Sequence, residues 1–136
     1  MRSATNATPQ PVQQTFPGAP ESARAARAFA RAVVGDRAPN LTPDELHSVQ
    51  LVVSELVTNA IRYGTEPGDS LRVVLDARPD TLRVEVHDPN RRRPRAKPES
   101  TDRKRGRGLY VLDERVAEWG VDDRPLGKTV WAVFRW

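Results

Sequence analysis

The segment from Thr42 to Gly64 restricts the possible folds of this chain more than any other. Residues Thr42 to Glu45 read Thr-Pro-Asp-Glu, a capping box with proline at the first helical position. Apolar residues then recur at helical spacing as far as Tyr63, and Gly64 marks the stop. We therefore predict a helix of about six turns, with one face that a second layer must cover. That face comprises Leu46, Val49, Val53, Leu56, Val57 and Ala60.

Segments of alternating hydrophobicity supply the second layer. Residues 71–75 and 82–86 alternate apolar with other side chains, and the turn formers Pro79 and Asp80 lie between them, which predicts an antiparallel hairpin. Residues 128–136 alternate in the same way. Shorter strands are predicted at residues 14–17 and from Val121.

Two further helices complete the predicted elements. One runs from Pro20 to Val34 with Gly35 as its stop, and the other runs from about Arg107 to Trp119. This order predicts an α+β fold. Its form is a two-layer α/β sandwich, in which a mixed, mostly antiparallel sheet is covered on one face by about three helices.

Composition sets the class of protein. Residues 1–14 are rich in Ser, Thr, Asn, Gln and Pro and are predicted to be a disordered tail, with residues 15–136 as one domain. The lack of cysteine excludes disulfides, thiolate zinc sites and thiol nucleophiles. No apolar run could span a bilayer, and no apolar stretch follows Arg2 as in a secretory signal. We therefore expect a cytoplasmic protein without membrane contact.

The first candidate site residues lie on the long helix. Glu55 and Asn59 are four residues apart, so their side chains lie one above the other. An amide oxygen can ligate Mg²⁺, and a carboxylate can bind a water or act as a base. Ser54, Thr58 and Arg62 are expected near the same polar side. From the spacing alone, a solvated helix face is the commoner interpretation.

Two further segments carry groups that could bind a ligand: the end of the strand at residues 82–87 and the start of the third predicted helix. Asp88 follows the strand at residues 82–87, where its carboxylate could accept a hydrogen bond from an exocyclic amine, although Asp before Pro also favours a turn. Gly106 and Gly108 flank Arg107 where a helix is predicted to begin. Free backbone amides attract phosphate there, whereas a lone Gly-x-Gly is usually only a flexible joint.

Taken in order, these motifs resemble the boxes of the GHKL superfamily of gyrase, chaperone and histidine-kinase ATPases. They are most similar to its branch of small anti-sigma factors and serine-protein kinases. The resemblance covers about residues 14–136 and implies the Bergerat-type ATP-binding fold, a two-layer sandwich. It rests on three runs: Ser54 to Ala60, Gly106 to Leu109 and Gly127 to Trp131.

The resemblance also implies roles for the matching residues, with ATP and Mg²⁺ as cofactors. Asn59 would hold Mg²⁺, and Glu55 would be the catalytic base. Asp88 would bind the adenine amino group, and Thr129 would support the adenine side. The residues that would wrap the phosphates are Gly106, Arg107, Gly108 and Leu109.

The implied function is that of an ATP-binding anti-sigma regulatory factor. Such a protein is a homodimer that binds a sigma factor and an anti-anti-sigma (STAS-type) partner, and phosphorylation of that partner on Ser or Thr would make it a kinase. Two departures keep an alternative open. Pro89, Asn90 and Arg91 follow Asp88 where glycines are usual, and Tyr63 stands where histidine is common. The second hypothesis is therefore a nucleotide-independent protein-binding module with a degenerate ATP site.

A third hypothesis comes from the dense basic block at residues 91–107. Non-specific binding of nucleic acid by such a block would fall steeply with salt. The block contains no aromatic side chain, however, and single-strand binders use aromatic platforms for stacking. The sequence therefore argues against nucleic acid as a partner.

Overall fold

The computed structural model describes residues 10–89 and 111–136. Its strands are β1 (Val12–Pro17), β2 (Ser70–Ala77), β3 (Thr81–Asp88), β4 (Glu118–Arg124) and β5 (Gly127–Arg135). They form one sheet in the order β1-β2-β3-β5-β4, and all four neighbouring pairs are antiparallel. Within the described residues the sheet is thus antiparallel throughout rather than mixed.

Two long helices, α1 (Ser22–Arg37) and α2 (Pro43–Gly64), lie on one side of the sheet. α1 packs over β1 and β2, whereas α2 packs over β3 and β5. Residues 111–115 are also helical, and Leu112 among them is buried. The predicted two-layer α/β sandwich is confirmed. In the two described ranges, every helix is too short or too polar to cross a bilayer.

The start and end of α2 follow the sequence prediction. The Thr42 hydroxyl accepts a hydrogen bond from the Glu45 backbone N–H at 3.1 Å, and the Glu45 carboxylate accepts one from the Thr42 N–H at 2.9 Å. The helix ends at Gly64, and its apolar side forms the centre of the core. The buried apolar residues of α2 are Val49, Val52, Val53, Leu56, Val57 and Ala60.

Strand alternation gives the sheet two different faces. We call the side covered by α1 and α2 the inner face, and the opposite side the outer face. In β3, Leu82, Val84 and Val86 are buried on the inner face, while the residues between them are only partly buried. In β5, Ala132 and Phe134 lie opposite Val84 and Leu82 and extend the same inner face.

The helix α1 is longer than the sequence predicts. It passes through Gly35 and ends at Arg37, and the N–H of Ala38 still donates to the Val34 carbonyl at 2.7 Å. The Arg37 guanidinium also donates to the Gln10 carbonyl at 2.6 Å. These contacts favour the extra turn by more than a single helical glycine disfavours it.

The predicted third helix is wrong at its C-terminal end. Trp119, placed in that helix by its apolar spacing, lies in β4 instead. The Ala117 N–H already donates to the Val133 carbonyl at 2.7 Å, and Glu118 pairs with Val133. The free edge of β5 thus offers backbone hydrogen bonds that override the local helical pattern.

The first strand starts earlier than predicted. β1 begins at Val12 rather than Gln14, and Val12 pairs with Leu75 of β2. The edge of β2 therefore orders residues that composition alone assigns to the tail. Residues 1–9 lie outside the described part of the chain.

Candidate functional site

The flank of α2 that carries Glu55 and Asn59 borders its buried face. Both side chains are partly buried. Ser54, expected on the same side, instead accepts a hydrogen bond from Arg27 of α1 at 2.8 Å. At about 100° per residue, Glu55 and Asn59 lie about 100° and about 140° around the helix from Ser54. The flank with Glu55 and Asn59 is therefore turned away from α1.

The second described segment returns to this same flank. Arg115 donates a hydrogen bond to the Ser48 hydroxyl at 2.9 Å. Ser48 precedes Glu55 by seven residues, which is about two helical turns, so the two lie along one line of α2. The first described segment ends at Pro89, just beyond β3. The second begins at Val111 and contacts α2 on the side that carries Glu55.

Asp88 is the last residue of β3. Its side chain points to the inner face and lies against Gly64, the last residue of α2. Its side chain has 0% exposure. A Cβ atom added to Gly64 would lie 2.3 Å from the Asp88 Cγ. Only a residue without a side chain lets α2 end directly on this carboxyl group. From Gly64, Asn59 and Glu55 are about 7.5 Å and about 13.5 Å back along the helix axis.

Lys128 is the cross-strand partner of Asp88. In the register of β3 and β5, Lys128 lies opposite Asp88, and Thr129 lies opposite His87. Opposed residues of an antiparallel pair point to the same face. The Lys128 Nζ is 3.5 Å from the Asp88 Oδ2, and the Lys128 side chain is only 12% exposed. The structure therefore brings Lys128 to Asp88, and it places Thr129 on the other face.

Thr129 and His87 belong to a hydrogen-bond network on the outer face. The Thr129 hydroxyl accepts from Arg124 Nε at 2.8 Å and donates to His87 Nδ1 at 3.1 Å. Arg72 donates to the same Nδ1 at 3.4 Å. Because arginine has no acceptor, we assign the ring proton to Nε2, which donates to Glu85 at 2.8 Å.

The Glu85 carboxyl group lies between two basic side chains on the outer face. Burial alone would raise the pKa of Glu85, but hydrogen bonds from Arg83 and His87 outweigh it and hold the pKa below its usual value. The Arg83 Nε donates to Glu85 at 2.8 Å, and its guanidinium lies 4.5 Å from the centroid of the Trp131 ring. The charges of the outer face thus largely satisfy one another.

A cleft of about 340 Å³ lies at the end of the sheet, beside the turn between β4 and β5. It includes both members of the Asp88–Lys128 pair, whereas Glu55 and Asn59 do not line it. Leu126 on its rim is 77% exposed. The residues that line the cleft are Arg72, His87, Asp88, Lys128 and the turn residues 124–127.

The structure therefore gathers some of the predicted site residues and separates others. Asp88 meets the end of α2, and Glu55 and Asn59 share one flank of that helix. Thr129 is fully buried on the outer face, away from the Asp88 carboxylate. The predicted phosphate-wrapping residues Gly106, Arg107, Gly108 and Leu109 lie outside the described residues.

Two contacts of Asp88 have no role in the sequence prediction. Gly64 appears there only as a helix stop, and Lys128 only as a neighbour of Thr129. A signal for Lys128 is present in the alternation of the last strand. Lys128 has the same parity as Val130 and Ala132, so period-2 alternation places it on the inner face.

The residues present are compatible with a bound Mg-nucleotide. Glu55 and Asn59 provide the oxygen atoms that Mg²⁺ prefers, and Asp88 provides an acceptor for an amine. Among the described residues, no group of three or more His, Cys, Asp or Glu could hold a metal ion by itself. Mg²⁺ commonly keeps several waters and takes further ligands from phosphates, so one or two protein oxygen atoms on a helix can serve it.

Comparison with known proteins agrees with this architecture. A family model described as the histidine kinase-like ATPase domain matches residues 16–134. The crystal structure of the RsbU and RsbW domains of Rv1364c from Mycobacterium tuberculosis matches 93% of this chain with a TM-score of 0.65. The two are 21% identical and the match covers 32% of that chain, so the likeness concerns the fold. No curated protein matches this chain.

Proposed function

Because this chain belongs to the histidine kinase-like ATPase domain family, we propose that it binds Mg-ATP between α2 and the inner end of β3. The observation that carries the proposal is the enclosed Asp88 carboxylate at the C-terminal end of α2. Asn59 and Glu55 follow at intervals back along the same helix, both partly buried. An acceptor for a base amine thus lies at the C-terminal end of α2, and oxygen ligands for a hard cation lie farther back on the same helix.

Each of these residues then has a distinct task. Asp88 accepts a hydrogen bond from the adenine amino group, and Asn59 supplies its amide oxygen to Mg²⁺. Thr129 lies behind β5 on the outer face, so it supports the base end only through the strand. The phosphate contacts proposed for Gly106, Arg107, Gly108 and Leu109 belong to the segment beyond the described residues.

For phosphoryl transfer, the chain has to position a hydroxyl and to remove its proton. Mg²⁺ bound with ATP neutralises the charge that develops on the phosphates. The Glu55 carboxylate, held on the flank of α2 that is turned away from α1, accepts the proton of the incoming hydroxyl. Its position on a long helix with a packed face keeps its backbone fixed during the reaction.

The cellular role that we propose is anti-sigma regulation. The chain would bind a sigma factor as a homodimer, exchange it for an anti-anti-sigma (STAS-type) partner and phosphorylate that partner on Ser or Thr. Support comes from the order of motifs in a short chain, and from the shared fold with a structure that includes an RsbW domain. The cytoplasm is the compartment in which such partners would be met.

A nucleotide-independent binding module is the second candidate. Two observations favour it: Pro89 follows Asp88 where the family pattern has glycines, and Lys128 already pairs with the carboxylate. In that case the chain would keep its fold and would bind its protein partners without ATP.

Thermal unfolding with and without millimolar Mg-ATP tests the proposal. A ligand at about 100 times its Kd stabilises the folded state by about 2.7 kcal/mol, so the wild-type melting temperature should rise by several degrees. Asn59→Ala should lose most of this rise because Mg²⁺ loses its protein ligand. Gln50→Ala, an amide about 180° around α2 from Asn59, is the matched control and should keep it.

The same variants separate the two candidates. If wild type shows no rise with Mg-ATP, and Asn59→Ala binds a sigma factor as wild type does, the nucleotide-independent module is the better account. A rise that persists unchanged in Asn59→Ala would contradict the assigned role of that residue.

A further inference from the structure

We propose that Lys128 is a gate at the base end of the nucleotide site. Its ammonium group occupies the position on Asp88 that the exocyclic amine of a base would take. The inference rests on the proposed function, because it concerns the same carboxylate. It adds a residue that controls access and affinity, and it predicts a gain of binding when that residue is replaced.

The Asp88 carboxylate is enclosed by its surroundings. A side chain with 0% exposure cannot receive a ligand until one of the groups around it moves. Gly64 is the end of a helix whose apolar side lies in the core. Gly127 is backbone of β5 and packs on the Asp88 carbonyl group so closely that a Cβ there would overlap it. Of these two described neighbours of Asp88, neither can move without disturbing a helix or a strand.

Lys128 is different because its contact is made by a flexible side chain. Four methylene groups separate its ammonium from the backbone, so rotation about side-chain bonds can withdraw Nζ while β5 stays paired. Lys128 is also one of the residues that line the cleft of about 340 Å³ at the end of the sheet. Its side chain is 12% exposed, so it already reaches the surface there.

The Lys128 ammonium group and the exocyclic amine of a base differ in charge. Both an ammonium group and an exocyclic amine donate hydrogen bonds to a carboxylate, but only the ammonium carries a charge. The opposite charges of Lys128 and Asp88 are 3.5 Å apart and little screened, because the two side chains are only 12% and 0% exposed. A base that replaces Nζ exchanges the stronger interaction for the weaker one, so Lys128 lowers the affinity of the site. Substituting Lys128 removes this competitor.

The experiment measures binding of adenosine, inorganic triphosphate and Mg-ATP to the full chain by isothermal titration calorimetry. Lys128→Met keeps most of the length of the side chain and removes the charge, and Lys128→Thr provides a second neutral variant. Both should bind adenosine and Mg-ATP about tenfold more tightly than wild type. Their melting temperatures without ligand should fall, because Asp88 loses its cation.

Two control variants define the effect. Lys128→Arg keeps a cation on Asp88 and should not show the gain in affinity for adenosine. Arg124→Ala removes a positive charge from the same cleft, but its contact is with Thr129 on the outer face. It should leave the affinity for adenosine unchanged. Inorganic triphosphate should bind equally to wild type and Lys128→Met.

The outcomes separate the gate from the proposed function. Weaker Mg-ATP binding by Lys128→Met, with adenosine unaffected, would place Lys128 on the phosphates and overturn the gate. Equal affinities in wild type and Lys128→Met would overturn it too, while nucleotide binding stood. Binding by Lys128→Met and none by wild type would support a gate that is closed in the native chain. Binding by no variant would overturn the gate and the ATP site together.

Discussion

Charged side chains have different surroundings on the inner and outer faces of the sheet. The neighbouring residues His87 and Asp88, at the end of β3, show this difference. Asp88 points inward and its side chain is fully enclosed, with Lys128 as its partner. His87 points outward and joins a chain of polar groups with Thr129 and Arg124. The partners of both residues are adjacent in β5, so the pleat of one strand pair separates the two arrangements.

The difference lies in what surrounds each charge. An enclosed ion pair is little screened, so its loss or exchange carries a large free-energy change. Exposed ion pairs contribute about 0–1 kcal/mol because water screens them. A change at Asp88 should therefore have a larger effect than a change in the outer network, which pairs the charges of a face that neither α1 nor α2 covers.

The largest expected effect comes from adding a side chain at Gly64, against the Asp88 carboxyl group. In Gly64→Ala, the new methyl group would overlap the Asp88 side chain. Overpacking of this kind costs about 3 kcal/mol, and it should also abolish Mg-ATP binding by displacing the carboxylate. Urea unfolding and calorimetry measure the two consequences.

Gly35→Ala is the matched control for that experiment. Gly35 lies within α1, and a Cβ there would meet no atom within 4 Å. Alanine should stabilise the helix by about 0.5–1 kcal/mol. If Gly64→Ala were as harmless as Gly35→Ala, then Asp88 would not lie against the end of α2.

A pair of valines compares the two faces in apolar terms. Val84 on the inner face is 0% exposed, whereas Val133 is partly buried on the outer face. Val84→Ala should lower the free energy of unfolding by about 2 kcal/mol, because it leaves a cavity in the core. Val133→Ala should lower it by less than about 1 kcal/mol. Equal losses in urea unfolding would mean that another surface covers the outer face in solution.

The smallest expected effect concerns acid stability of the outer face. The pKa of Glu85 is lowered in the folded state from its ordinary 4.5. The charged carboxylate therefore adds stability at pH values above about 4.5, and this contribution is lost as the pH falls through the folded pKa. Glu85→Gln should flatten the stability curve in that acid range, by less than about 1 kcal/mol.

Glu118→Gln is the control for the acid measurement. Glu118 pairs with Arg135 at 2.8 Å, but both side chains are about half exposed. Melting temperatures recorded between pH 3 and 7 should follow the wild-type curve in this variant. A flattening as large as that of Glu85→Gln would show that a general charge effect, and not the contacts of Glu85, sets the acid response.

Much of the fold could be predicted because its signals are local. The capping box of α2 and its stop at Gly64 depend on residues within one helical turn of each end. The hairpin of β2 and β3 depends on a short turn between two alternating segments. The spacing of Glu55 and Asn59 places both on one flank of a helix whatever the rest of the chain does.

The parts that could not be predicted depend on contacts between distant segments. Trp119 has helical spacing, yet the edge of β5 draws its neighbours into β4. Ser54 is polar and close to Glu55 in sequence, yet it is directed toward α1 and Arg27. In both cases a partner from another element outweighs the local preference.

The candidate site likewise has features that follow from local sequence and features that depend on contacts between distant segments. The sequence by itself determined which residues are candidates for the chemistry, since Glu55, Asn59 and Asp88 are suited to it by side-chain type and local spacing. Only the tertiary structure decided that Lys128 and Gly64 enclose Asp88, because that depends on the register of β3 against β5 and on where α2 ends above them. A shift of that register by one residue would turn the opposite set of side chains inward, and no local pattern specifies the pairing of residues 40 positions apart.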